Sequence, residues 1–285
     1  DAPGAHDRID GMEQVQRVVM VDQSAIGKTT RSTPATYVGA FDAIRKLFIA
    51  TPLAKERGYT PGTFSFNSGN GRCPTCQGNG FEHVEMQFLS DVYLRCPDCD
   101  GRRFRDEILE VKVLSSANAS DVPHAASIAD VLNMTVAEAL AFFEGERTVE
   151  RSLQPLADVG LDYVQLGQAV PTLSGGEAQR LKLAGHLVAT GTAKQHEHTL
   201  FLFDEPTTGL HFSDIAQLMG AFGQLLAAGH SLVVIEHNLD VIRSADWIID
   251  IGPEGGDAGG QLLVEGTPQH IMAEHNGYTA QALRD

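Results

Sequence analysis

Four cysteines occur in the 285 residues, and they fall into two pairs, Cys73-Pro-Thr-Cys76 and Cys96-Pro-Asp-Cys99, with nineteen residues between the pairs. From about Pro61 to Gly101 the surrounding chain is Gly, Asn, Cys and Pro with few aliphatic residues. Such a stretch cannot assemble an apolar core of its own and needs a staple. Two residues between ligands let both thiolates of a knuckle face one metal, and the pair-to-pair spacing is that of a tetrahedral zinc site with four sulfur ligands. Gly78, Gly80 and Gly101, which follow the pairs, permit the tight turns that aim the sulfurs. Two disulfides or four unrelated core thiols compete with zinc. Disulfides are disfavoured in a cytosolic protein, and unrelated thiols do not account for duplicate C-P-x-C pairs. A structural role follows, because four thiolates leave no open coordination position for a water. Between the pairs, residues Glu82 to Phe88 predict one strand of a projecting hairpin.

Outside this stretch the chain alternates apolar runs with amphipathic ones. Val18 to Val21, Leu200 to Phe203, Leu232 to Ile235 and Trp247 to Ile251 predict strands apolar on both faces. Helical patterns begin near Ala40 and over Leu153 to Leu166, Ser174 to Val188 and Ile215 to Leu226. The predicted fold class is α/β, a mainly parallel sheet covered by helices on both sides. Gln261 to Val264, set off by glycines, predicts an antiparallel edge strand. No apolar run has the length of a membrane span, and the N-terminus lacks the pattern of a secretory signal, so a cytoplasmic location is expected. Net charge is -16, which argues against a general nucleic-acid binder. From Lys28 to Arg57, however, six basic residues (Lys28, Arg31, Arg45, Lys46, Lys55, Arg57) face only Asp42 and Glu56, leaving room for a local basic face. Arg72, Arg95, Arg102, Arg103 and Arg105 beside the cysteines are balanced by acids.

Leu173-Ser174-Gly175-Gly176-Glu177-Ala178-Gln179-Arg180 is the most specific string. Ser174 is a candidate N-cap, and Glu177 three residues on closes a capping box. Gly175 and Gly176 leave backbone N–H groups open at a helix N-terminus, where the dipole favours an anion such as a γ-phosphate. An ordinary capped helix would explain Ser and Glu but not the two glycines and the Gln-Arg after them. The string resembles the signature motif of ATP-binding cassette (ABC) ATPases. Asp204-Glu205 then ends a buried strand, where ligands gather in open α/β sheets. The two carboxylates point to opposite sides, and the strand resembles a Walker B strand, with Asp204 on the magnesium side and Glu205 as general base. Pro206 to His211 resembles the D-loop. Glu236-His237-Asn238 ends the next strand, and His237 resembles the switch histidine. His186, His196 and His198 are assigned to surface or packing roles.

No G-x-x-x-x-G-K-[ST] phosphate loop occurs in the sequence. Ile26-Gly27-Lys28-Thr29 imitates its second half, but Asp22 stands where the first glycine belongs, and Gln23 is taken as the glutamine of the Q-loop. The phosphate loop is then expected upstream of residue 1. Because each ABC site pairs one half's phosphate loop with the other half's signature, this chain alone is expected to bind ATP poorly and hydrolyse it negligibly.

Asp22-Gln23-Ser24, Arg31 to Tyr37, the Cys73 to Cys99 module, Leu166-Gly167-Gln168, Leu173 to Arg180, Asp204 to His211 and Ile235 to Ile242 together resemble the second, C-terminal ATPase half of the UvrA family. The resemblance covers nearly the whole chain. It implies an ATP-, Mg2+- and Zn2+-dependent dimer that binds duplex DNA carrying lesions and loads a UvrB-like helicase subunit in nucleotide excision repair, with no membrane partner. The expected divisions are 1–60, a partial ATPase lobe with the Q-loop; 61–106, the zinc insertion; and 107–285, the signature region and ATPase core. Thr33 where Asn is expected, Gly27-Lys28 where Gly-Arg is commoner, and a loop extension at 115–127 are departures, and they leave room for a UvrA-like paralogue of the antibiotic self-resistance kind. A transporter-type ABC ATPase would share the nucleotide motifs but has no reason for the cysteines. A DnaJ-type zinc module would share the C-x-x-C-x-G-x-G knuckle but not Asp204-Glu205 or His237.

Overall fold

The computed structural model describes residues 6–24, 26, 29–84, 92–115, 124–192, 198–253, 259–274 and 277–284. Strand β1 (Arg17–Val21) leads to three helices, α1 (Pro34–Tyr37), α2 (Ala40–Ala50) and α3 (Pro52–Glu56). A turn-rich segment then carries the hairpin of β2 (Phe81–Val84) and β3 (Val92–Arg95), and α4 (Asp106–Leu109) follows. Strands β4 (Lys112–Leu114) and β5 (Ala125–Ser127) precede α5 (Ile128–Asn133), α6 (Val136–Phe142) and α7 (Arg147–Asp158). The remainder runs α8 (Gly175–Thr192), β6 (Thr199–Asp204), α9 (Phe212–Ala227), β7 (Ser231–Ile235), α10 (Leu239–Arg243), β8 (Ile248–Gly252), β9 (Gln261–Gly266), α11 (Pro268–Glu274) and α12 (Tyr278–Arg284).

The central sheet is parallel, in the order β1-β6-β7, with Val21 opposite Phe203 and Asp204 opposite Ile235. Val21, Phe201 and Phe203 point to one face and are fully buried with Leu181, Ala184, Leu218 and Phe222 of α8 and α9. The Phe203 and Phe222 rings lie 4.7 Å apart. Here the structure departs from the prediction of a sheet covered on both sides. On the opposite face Val18 is 58%, Met20 50% and Ile235 54% exposed. A run apolar at every position marks a strand that can be buried twice, but period-2 geometry commits only one set of side chains to each layer. Trp247 to Ile251 also departs from prediction. Its strand, β8, does not join the parallel sheet but pairs antiparallel with β9, the predicted edge strand.

The cysteine-rich stretch is anchored more firmly than its composition suggests. Phe64 and Phe66 are fully buried in the main core, with Phe64 against Phe48 and Phe66 against Phe41, ring centroids 5.3 and 5.1 Å apart. Two buried aromatics of this size contribute about 2–3 kcal/mol each, so the module has an apolar root as well as its sulfur staple. The β2–β3 pairing forms the predicted hairpin, while residues 85–88 of the predicted strand lie outside the described residues. Part of the predicted 115–127 loop extension is structured. Residues Ala125–Ser127 pair with Lys112–Leu114, and Ser127 caps α5 through a reciprocal box with Asp130. Thr33 caps α1 in the same manner with Thr36 and is itself fully buried. Among the described residues, no helix is long and apolar enough to cross a membrane.

Candidate nucleotide edge and four-thiolate centre

All three parallel strands end on one side of the sheet, and each delivers a polar segment there. These segments are Asp22-Gln23-Ser24 after β1, Asp204-Glu205 at the end of β6 and Glu236-His237-Asn238 after β7. The N-terminus of α8 joins them. Ser174 donates its backbone N–H to Glu177 Oε2 at 2.7 Å, and the Glu177 N–H reaches Ser174 Oγ at 3.3 Å, the reciprocal box read from the sequence. Burial alone would raise the Glu177 carboxyl. The Ser174 N–H, the Tyr163 hydroxyl and the Ser174 hydroxyl outweigh it and hold the group below its ordinary value. A Cβ built on Gly175 would lie 3.3 Å from Gln23 Oε1, and one on Gly176 would lie 3.6 Å from the Thr208 carbonyl. The glycines therefore sit between the segment after β1 and the turn after β6.

Side chains of α8 stitch these strand ends together. Gln179 donates through Nε2 to the carbonyls of Val21 (2.8 Å) and Asp204 (3.1 Å), one on each of two neighbouring strands. Lys182 donates through Nζ to Asp22 Oδ1 at 2.6 Å, to the Asp22 carbonyl at 3.0 Å and to Ser24 Oγ at 2.8 Å. The Lys182 ammonium, then the Ser24 hydroxyl, bring the Asp22 carboxyl down to about 2. Asp22, read in the sequence as the wrong residue for a phosphate loop and as part of the Asp22-Gln23-Ser24 string, is thus the acceptor that fixes the approach to Gln23; Lys28 lies outside the described residues.

Glu205 occupies the left-handed region at φ 42°, a conformation disfavoured for a residue with a Cβ and concentrated at functional sites. Its N–H donates to the Ile235 carbonyl at 2.9 Å, and its Oε2 accepts from the Thr208 hydroxyl at 3.3 Å. Its Oε1 lies 3.5 Å from His237 Nε2, with the His237 side chain largely open to solvent and that of Glu205 half-buried. Asp204, also exposed, lies beside this pair at the strand end. Sequence reasoning missed Glu236. Its Oε1 accepts the Thr207 N–H at 2.8 Å, and its Oε2 accepts the N–H groups of His237 (2.8 Å) and Asn238 (3.0 Å). One carboxylate thus clasps the turn after β6 to the turn after β7. Burial would raise it, but the hydrogen bonds from Thr207, Asn238 and His237 hold it below the ordinary glutamate value. An acidic residue directly before the histidine was the only signal of this in the chain.

The sulfurs of Cys73, Cys76, Cys96 and Cys99 all lie within 4.8 Å of one another, and all four residues are buried. Cys73 Sγ is 3.9 Å from Cys96 Sγ, and Cys76 Sγ is 3.7 Å from Cys99 Sγ. A tetrahedron with metal–sulfur bonds of 2.3 Å has sulfur–sulfur edges of about 3.8 Å, so the donor set fits zinc. None of the four is in a disulfide. Burial pushes the Cys99 thiol up to about 12, and a metal is what would hold it as thiolate.

In the basic stretch between Lys28 and Arg57 the three arginines make internal bonds, while Lys46 and Lys55 are exposed. Arg31 donates to Asn79 Oδ1 and the Asn67 carbonyl, Arg45 to Asp42 and the Pro61 carbonyl, and Arg57 to Glu110 and the Glu107 carbonyl. His186 packs on Phe201 at 5.2 Å, and His198 bonds the Gln14 carbonyl and Ser231, as their packing assignment expected; His196 lies outside the described residues.

A parallel sheet whose strand ends meet a glycine-opened helix, with a four-thiolate insertion rooted in the same core, defines an ABC-type ATPase core of α/β class. No family model matches the chain. It is 52% identical over 269 residues to UvrABC system protein A of Thermus thermophilus, covering 94% of this chain and 27% of that protein. It is 52% identical over 282 residues to UvrABC system protein A of Methanothermobacter thermautotrophicus, covering 99% and 28%. The crystal structure of UvrA2 from Deinococcus radiodurans matches with TM-score 0.83 and 46% identity, covering 96% of this chain and 32% of that one. The chain belongs to the UvrA family, and it spans less than a third of the length of these relatives.

Proposed function

We propose that the chain is the signature and Walker B portion of the C-terminal ATPase half of a UvrA-type protein, the ATP-dependent damage-recognition subunit of nucleotide excision repair. The observation that supports this best is the Glu205–His237 pair, 3.5 Å apart beside Asp204, on the edge that Gly175 and Gln23 also border. In this role Ser174, Gly175 and Gly176 offer the helix N-terminus to the γ-phosphate, and Gln23 contacts the nucleotide from the strand beside it. Glu205 takes the proton of the attacking water, and His237 orients that water. Asp204 would hold magnesium, which when bound neutralises charge on the β- and γ-phosphates. Cys73, Cys76, Cys96 and Cys99 would hold zinc structurally. The 285 residues contain no phosphate-loop motif, so this chain by itself turns over ATP negligibly. The intact protein works as a cytoplasmic dimer on duplex DNA with lesions and hands it to a UvrB-like helicase subunit.

A self-resistance paralogue would share this architecture. Identities of 50–52% to proteins named UvrABC system protein A support the repair reading. In the full-length protein, Glu205→Gln should keep ATP binding while lowering turnover at least about 100-fold. Binding to damaged duplex should weaken steadily with rising salt. Wild-type turnover by Glu205→Gln, or ordinary ATPase activity of the 285-residue chain as a monomer, would refute the assignment.

A further inference from the structure

Arg103 is only 5% exposed, unlike Arg95, Arg102 and Arg105, which pair at the surface with Asp100, Asp106 and Glu107. Its guanidinium stacks on the Phe66 ring, 4.9 Å from the centroid, and its Nη2 donates to the Gly167 carbonyl at 2.9 Å. Its Nη1 is buried without a hydrogen-bond partner, and among the described residues no carboxylate forms an ion pair with it. The residue also lies against the sulfur cluster. Its carbonyl accepts the Cys73 N–H at 2.8 Å, and its stem lies against Gly80, where an added Cβ would be 3.1 Å from Arg103 Cγ and whose N–H donates to Cys76 Sγ at 3.3 Å.

An arginine keeps its proton under all ordinary conditions, and a buried cation without an anion is strongly disfavoured. Disulfides or neutral thiols would leave Arg103 uncompensated. Four thiolates around one divalent zinc carry a net charge of about two minus, a counter-charge held beside the Gly80 turn that Arg103 borders. We propose that Arg103 is the counter-cation of the zinc–thiolate centre and, through Gly167, ties its metal state to the segment leading to Ser174. Gly167 begins that segment. Its N–H is held by the Leu132 carbonyl at 2.7 Å, and Val170 N–H by the Ser32 carbonyl at 2.9 Å, so the tie reaches a stretch fixed on both sides before the signature helix starts. The inference rests on the zinc assignment and extends it to a residue outside the ligand set.

The test measures zinc content, zinc release to a chromophoric chelator, and amide hydrogen exchange in the 285-residue chain. Arg103→Met keeps the stem over Phe66 and removes the charge. It should release zinc at least about tenfold faster, in line with the effect of losing an outer partner of a metal ligand, and exchange over 166–174 should rise. Arg103→Lys keeps a charge but not the planar fork; it should hold zinc within about threefold of wild type while exchange at 166–174 still rises. Chelating zinc from the wild-type chain should raise exchange over the same residues. Zinc release from Arg103→Met at the wild-type rate, release from Arg103→Lys as fast as from Arg103→Met, or unchanged exchange at 166–174 after chelation would each overturn the proposal. A wild-type chain purified without zinc would sink the zinc assignment itself, a separate and recognisable failure.

Discussion

Glu236→Gln changes one oxygen to an amide nitrogen at the clasp between the turns after β6 and β7. The carboxylate accepts three backbone N–H groups at 2.8, 2.8 and 3.0 Å, one from Thr207 and two from His237 and Asn238. A glutamine has one oxygen. If it serves His237 and Asn238, its NH2 faces the Thr207 N–H, donor against donor; if it serves Thr207, the other two lose their acceptor. A buried donor left unmet costs about 1–3 kcal/mol, and bonds to a charged acceptor are the stronger kind. The group is half-buried, so water partly replaces the lost bonds and the net cost should be about 1–2 kcal/mol. Urea denaturation of the chain should show a lower midpoint at unchanged slope, and amide exchange should accelerate at Thr207, His237 and Asn238 but not at Glu177 in the signature box. In the full-length protein, a His237 ring displaced by about 1 Å should lower kcat on the order of 100-fold with little change in KM for ATP. A wild-type midpoint together with wild-type exchange at these three amides would refute the clasp.

Three further outcomes follow from particular contacts. Gly78→Ala should destabilise the chain by more than about 2 kcal/mol, since φ is 87° there and the new Cβ would lie 2.0 Å from the Phe66 carbonyl; an unchanged melting temperature would contradict this. The Asp22 carboxyl is depressed from 3.8 to about 2, so its contribution is complete above about pH 4 and is lost as pH falls toward 2. With the side chain 39% exposed, that contribution is about 1 kcal/mol after screening. The stability gap between wild type and Lys182→Met should therefore narrow by about 1 kcal/mol between pH 4 and 2 in acid titrations, and a constant gap would count against the pair. Ser174→Ala should cost about 1 kcal/mol, read as faster exchange of the Glu177 amide, and equal protection in both proteins would remove the capping role.

Features that depend on neighbours a few residues away were legible in the chain. The spacing of Cys73, Cys76, Cys96 and Cys99 specified a four-sulfur site that the folded distances fit. The Ser174–Glu177 box needed only the three-residue rise of one helical turn. Apolar runs located β1, β6 and β7, and their parallel pairing brought Asp204, Glu205 and His237 to one edge. What the tertiary structure alone decided is which of two equally apolar faces is covered, and which polar side chains are spent inside. Val18 and Val21 read alike, yet one is open and the other sealed. Arg103 read as one of five flanking arginines, and Asp22 as a misfit, until partners 64 and 160 residues away gave each its place. The physical reason is the reach of the forces: turns, caps and knuckles close over a few bonds of the same chain, whereas a buried charge or an apolar face is defined by whatever distant segment displaces its water.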